Sequence, residues 1–262
     1  MGNIGKKRNK NMKKIILPAV LLATGTVMAS ITSSSIVGYV VGTVSRNKYT
    51  VIPVQFNTVG GTAGTVYIKD LVSEANAAGG ASYTAGGADK ILKWDPASGY
   101  TTYFRYNGVT PNIWCKQGET TETTDTVSVG ESVFYKKGSL KNGSYTQAGE
   151  IFNGESAEFT LPRNKYSLIA YPWPVDIAVK DVGALITNPG AGGSATAGGA
   201  DKIMLWDETD GYITYFRKTG DVWCKEGETE ETTDVIPAGA GFFVKKGSLK
   251  DGTITFTKPA GL

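Results

Sequence analysis

The chain has 262 residues, with 27 Lys plus Arg against 24 Asp plus Glu (net +3), no His, 2 Cys and 34 Gly. The absence of His excludes Ser/His/Asp triads, imidazole general bases and His-ligated metals. Glycine at nearly twice the usual ~7 %, together with many Thr and Tyr, favours strands and tight turns over a helical bundle.

The first element is a processing segment. Lys6, Lys7, Arg8, Lys10, Lys13 and Lys14 form a basic stretch without an acid, followed by the apolar run IILPAVLLATGTVMA from Ile15 to Ala29. Val27 and Ala29 supply small residues for cleavage before Ser30, and Met12 opens a shorter version of the same signal. Pro18, Thr24, Gly25 and Thr26 cut the apolar run below the ~20 residues needed to cross a bilayer. Residues 1–29 therefore read as a signal peptide. No Cys after Ala29 is placed for lipidation and no LPxTG-like motif closes the sequence. A secreted or envelope protein without a further membrane span is expected. Removing the six basic residues leaves 21 bases against 24 acids, a net charge of −3.

Beyond the signal the sequence repeats itself. TAGGADKILKWD (84–95) returns as TAGGADKIMLWD (196–207), identical at 10 of 12 positions. GYTTYFR (99–105) returns as GYITYFR, WCKQGETTETTD (114–125) as WCKEGETEETTD, FYKKGSLKNG (134–143) as FVKKGSLKDG, and RNKYTVI (46–52) as RNKYSLI. Five blocks in one order, offset by 109 to 117 residues, define a tandem duplication. The modules span 30–150 and 151–262, each of ordinary domain size.

Within a module the hydrophobic period is mostly two. IPVQF and IAYPW supply an early strand. Ile68, Leu71, Val72 and Ala75, and Val179, Val182 and Ile186, keep helical spacing, so one short helix per module is expected, ended by AAGGASYTAGG or NPGAGGSATAGG. KILKWD and KIMLWD follow as strands in which Leu92 and Trp94, or Met204 and Trp206, share a face read as core. Gly99 and Gly211 close short hairpin turns into GYTTYF and GYITYF. IWCK or VWCK forms a third strand, an acidic Thr-rich loop comes next, and SVFYKK or GFFVKK forms a fourth. The fold class is mainly β: two tandem homologous antiparallel domains, sandwich-like or barrel-like, each with at most one short helix. One continuous sandwich or barrel built from both copies fits the same pattern.

The chemistry is sparse. No G-x-S-x-G elbow, Walker loop, zinc spacing or EF-hand loop occurs. AGGADK lacks the Gly-Lys-Ser/Thr ending of a phosphate loop and leads into a strand. Asp89 and Asp201, beside Lys90 and Lys202, are expected to cap a turn and pair at the start of that strand. The acidic loops read as solvated rather than as cation sites, and the carboxylates come in two copies, which suits binding or assembly better than one catalytic centre. No metal, cofactor, catalytic residue or nucleic-acid partner is expected, since the basic residues of the mature chain are dispersed among acids.

Cys115 and Cys224 occupy equivalent positions. They read either as small buried side chains or as a disulfide across a pseudo-twofold axis. If the Cys and Phe104/Phe216 faces are core, then Trp114, Trp223, Tyr103 and Tyr215 lie on an outer face near Arg105 and Arg217. Flat exposed rings there would suit stacking on sugars or a protein interface. The competing expectation is that these rings pack the modules together or lie under a loop, and their burial would remove the sugar site.

The GADKI..W, GY.TYF and G.GFFVKKG blocks are similar to those of uncharacterised exported, duplicated β-repeat proteins of Verrucomicrobia-like bacteria. The resemblance spans most of the mature chain and implies a secreted or envelope β-protein with no assigned activity or catalytic residue. The paired Cys fall outside that pattern. The leading expectation is a non-enzymatic structural, adhesive or assembly protein of the cell envelope or extracellular matrix, with self-association or a cell-surface partner. The alternative is a carbohydrate-binding module protein using the surface aromatics named above.

Overall fold

The computed structural model describes residues 37–72 and 78–262; the signal segment lies outside the described residues. The first module runs β1 (Val37–Val44), β2 (Tyr49–Pro53), β3 (Phe56–Asn57), β4 (Thr65–Tyr67), a 3-10 turn (Ile68–Asp70), β5 (Lys90–Asp95), β6 (Gly99–Tyr106), β7 (Ile113–Lys116), β8 (Thr126–Ser128), β9 (Ser132–Lys136) and β10 (Gly143–Ile151). The second runs β11 (Ser156–Leu161), β12 (Tyr166–Ala170), β13 (Ile177–Ala178), α1 (Val179–Ala184), β14 (Lys202–Asp207), β15 (Gly211–Arg217), β16 (Trp223–Lys225), β17 (Val235–Ile236), β18 (Gly241–Lys245) and β19 (Gly252–Thr257).

The protein is mainly β, with antiparallel sheets in a sandwich-like arrangement. Each module is built on a five-stranded sheet, ordered β2-β9-β5-β6-β7 in the first and β12-β18-β14-β15-β16 in the second. β1 pairs with β10, and β11 with β19. Short pairs β4-β8 and β13-β17 complete the two copies. The hairpins form as the glycines require: Gly99 and Gly211 sit at φ +84° and +81°, where only Gly is free of Cβ strain. Asp95 Oδ1 accepts the Ala97 and Ser98 N–H groups, and Asp207 Oδ1 those of Thr209 and Asp210, so each turn is closed by its own acid.

The helical spacing resolves differently in the two copies. Val179 and Val182 are fully buried on α1, with Ile186 close behind. In the first copy only a 3-10 turn forms, burying Ile68, with Leu71 and Val72 following; Ala75 lies outside the described residues. Among the described residues no helix is long and apolar enough to cross a membrane.

Strand alternation gives each five-stranded sheet two apolar faces. Opposed residues of an antiparallel pair share a face, and the register sets Ile91 opposite Tyr135 and Tyr103, and Ile52 opposite Val133. This face points into the module's own core, with Trp114, Ile68 and Leu71. The other face carries Tyr49, Val51, Leu92, Trp94 and Phe134. It packs against Tyr166, Leu168, Met204, Trp206 and Phe243 of the second copy. The two sheets are the layers of a sandwich that joins the modules into one compact unit. Trp94 and Trp206, read from sequence as core, lie half-buried in this shared layer.

Candidate functional site

The aromatics expected on an outer face are buried. Trp114, Trp223, Tyr103 and Tyr215 are 1–3 % exposed. The physical reason is the helical segment that follows β4 or β13. In the second copy α1 lies directly on Trp223, with Gly183 so close to the indole that any Cβ would overlap it. In the first, Trp114 packs with Ile68, Leu71 and Val72 of the 3-10 turn and its continuation. The arginines follow the rings inward. The Arg105 guanidinium lies 5.7 Å from the Trp114 ring centroid, and Arg217, 8 % exposed, donates to the Gly190 carbonyl at 2.6 Å and pairs with Asp221. A sugar platform on these six residues is therefore corrected. Cys115 and Cys224 are both free and fully buried, so the expected alternative of a small packed side chain is the one adopted and the bridge is not formed.

Tyr103 and Tyr215 each keep a polar handle. Their hydroxyls donate to Asp125 and Asp234 at 2.7 Å. Those aspartates end the Thr-rich acidic loops and are also reached by Lys116 (3.2 Å) and Lys225 (3.5 Å). Burial and then this carboxylate bond push both phenols well above the usual tyrosine range, while the phenol bond holds Asp125 below the usual carboxylate value. Among the described residues no three Cys, Asp or Glu side chains gather into a metal-sized group.

The duplicated GGAD and KKG blocks meet in space. Asp89 does not pair with its neighbour Lys90. Its carboxylate, fully buried, takes Lys137 Nζ at 2.8 Å, Tyr135 OH at 3.1 Å, and the backbone N–H groups of Ala78 and Gly138 at 2.8 Å each. In the second copy Asp201 takes Lys246 Nζ at 2.9 Å and the N–H groups of Gly190 (2.6 Å) and Gly247 (2.7 Å); Lys246 also donates to the Asn188 carbonyl at 2.8 Å. A Cβ at Gly138 or Gly247 would overlap the carbonyl oxygen of Gly87 or Gly199. Gly138 and Gly247 are thus required for close backbone approach, and the acid–base pair closes beside them. An ion pair out of water is tolerated only when hydrogen bonds satisfy the remaining valences, and here the carboxylate takes three or four.

An aromatic seam lies on the pseudo-twofold axis between the sheets. Phe134 and Phe243 stack at a centroid distance of 6.0 Å, and every other contact occurs twice. Tyr49 meets Phe134 at 6.2 Å and Tyr166 meets Phe243 at 6.0 Å. Trp94 packs on Phe243 at 5.9 Å, Trp206 on Phe134 at 5.8 Å. The Trp94 indole N–H donates to the Tyr166 carbonyl at 2.7 Å, and Trp206 returns the bond to the Tyr49 carbonyl at 2.9 Å. Edge-to-face rings with both indoles satisfied are the favourable geometry for buried aromatics.

Tyr100 and Tyr212, 45 % and 42 % exposed, stand at the mouth of this seam, 4.7 Å from Trp94 and 5.0 Å from Trp206. Between them opens a cavity of about 210 Å³ lined by Tyr49, Leu92, Tyr100, Phe134, Trp206 and Tyr212. Sequence reasoning missed these two tyrosines because they read only as the first residues of the strands that Gly99 and Gly211 open. The signal available was their repetition within GY.TYF.

Burial, then the neighbouring Tyr212 hydroxyl, pushes Tyr100 up to about 12, and burial also raises Tyr212. A raised folded-state value favours the neutral phenol. Its stabilisation is intact below the unfolded value of ~10 and is lost as pH rises through that value towards the folded one. Stability should accordingly fall between pH ~10 and ~12. In an absorbance titration of phenolate, the Tyr100→Phe variant should lose a component at about 12; an unchanged titration would contradict the assignment.

No protein-family model, curated protein or solved structure matches the chain.

Proposed function

We propose that the chain is an exported, non-enzymatic structural or adhesive component of a cell envelope or extracellular matrix. The observation that supports this reading most is where the duplication is invested. Two ion pairs repeated in both copies, Asp89 with Lys137 and Asp201 with Lys246, are fully buried and hold the fold, so this part of the repeat preserves a rigid shape rather than two copies of a reactive centre. Export follows from the basic and apolar character of residues 1–29. Fractionation of the producing cells with mass analysis of the N-terminus tests it. A chain starting at Ser30 in the envelope or medium, retained on cells or matrix, is the expected result. An unprocessed chain in the cytoplasm would defeat the proposal.

A second reading, glycan binding, is favoured by one observation, the exposed pair Tyr100 and Tyr212 over an aromatic cavity. Partly exposed phenol rings with hydroxyl rims suit the apolar face and polar edge of a sugar ring. A glycan array should show hits that disappear in Tyr100→Ala plus Tyr212→Ala. An array without hits, or hits indifferent to both changes, would discard this reading.

A further inference from the structure

The two copies differ most sharply in their first strands. Counting back from the shared RNKY motif, Tyr39 and Val41 of β1 correspond to Ser156 and Glu158 of β11. Both strands present the same alternation, with every second residue exposed, and both run into a buried residue, Val44 or Leu161. The outward row of β11 is Ser156, Glu158 and Thr160. That of β1 is Val37, Tyr39, Val41 and Thr43, its three apolar members exposed by 62 %, 74 % and 59 %. One chain thus carries the same strand twice, once with a polar outer face and once with a mostly apolar one.

β1 is also an edge. Among the described residues it pairs with β10 alone, so half of its backbone donors and acceptors point away from the sheet. Exposed edges are ordinarily guarded by charge, as Glu158 guards β11. Residues 30–45, SITSSSIVGYVVGTVS, contain no charged residue at all. Once the signal is removed, the chain's own leader is shorter than the strand it would have to cover. Seven residues, 30–36, remain before β1, and a reversal consumes at least two of them, too few to cover an eight-residue strand.

We propose that β1 is the surface through which two mature copies of this chain pair, antiparallel and edge to edge, joining two three-stranded sheets into one of six strands. The occupant is a second copy because a strand meeting itself across a twofold axis is automatically matched in length, polarity and side-chain alternation. Parity restricts the register to those with a residue, not a peptide bond, on the axis, because opposed residues share a face. With Val40 there, Tyr39 lies opposite Val41 of the other copy, twice over, and Val37 opposite Thr43. Because each copy uses the same edge, the contact closes at two and does not propagate. The guarded β11 edge keeps the second module out of the ladder. This inference rests on the export reading for the position of the mature N-terminus and names the partner within the assembly role proposed above.

Sedimentation analysis of the chain beginning at Ser30 tests it. A dimer is expected at about 100 µM. The double variant Tyr39→Ser, Val41→Glu transfers to β1 the residues that β11 already carries. It should weaken the dimer at least about tenfold while leaving the circular dichroism and melting midpoint unchanged. The converse variant, Ser156→Tyr with Glu158→Val, should open a second edge and drive growth beyond dimers. A monomeric parent chain at that concentration, or a dimer indifferent to the β1 substitutions, overturns the pairing. Neither result depends on where the protein resides in the cell, so a failure of the export reading is detected separately by fractionation.

Discussion

Replacing Lys246 by Met is expected to destabilise the protein by about 3–5 kcal/mol, because it leaves the Asp201 carboxylate fully buried without its counter-charge. For a chain of this size that corresponds to a fall in melting midpoint of about 6–20 °C. Lys137→Met should act the same way on the first copy through Asp89. Adding an apolar residue at position 201 should not restore the loss. Asp201 also accepts the Gly190 and Gly247 N–H groups, and each orphaned donor costs about 1–3 kcal/mol. Asp201→Asn with Lys246→Met keeps one acceptor and should recover part of the stability. The exposed pair Lys180–Glu231 provides the control, where Lys180→Met should leave the midpoint unchanged. Thermal melts of these variants check the set, and a Lys246→Met melt like the parent's would show that the pair does not hold the fold.

Phe243→Ala should cost about 3–5 kcal/mol, the usual range for deleting a buried phenyl ring. Its distinguishing effect is where the loss appears. Phe243 belongs to β18 of the second module, yet it touches Trp94 and Phe134 of the first. Hydrogen exchange should therefore accelerate in β5 and β9 as well as in β14 and β18. Phe134→Ala opens the same space from the other side, so the double variant should lose less than the sum of the single losses. Acceleration confined to the second module would show that the aromatic layer does not couple the copies.

Much of the fold was legible because it rests on local pattern. Period-two alternation gave KILKWD and GYTTYF as strands, and the positive-φ requirement placed Gly99 and Gly211 in the hairpin turns. The repeated blocks gave the duplication, and helical spacing placed α1. The face assignment failed at Trp114 and Trp223 because alternation separates two faces without saying what covers either. Here the helical segment covers one face and the other copy's sheet covers its opposite. The buried pairs were hidden by distance along the chain, since Asp89 and Lys137 lie 48 residues apart and Asp201 and Lys246 lie 45 apart. Charge beside charge at Asp89-Lys90 pointed to the wrong partner. The available clue was that GGAD and KKG recur together, the latter with a glycine that close backbone contact explains. The seam was hidden for a related reason: Trp94 and Trp206 satisfy a core reading whether the core is their own or shared.

Two homologous modules are fused through their aromatic faces into one structural unit. Scanning calorimetry of the chain from Ser30 tests it most directly. A single transition whose calorimetric and van't Hoff enthalpies agree is the predicted result. Two separable transitions, or a van't Hoff enthalpy near half the calorimetric one, would mean that the modules fold and melt independently and would contradict it.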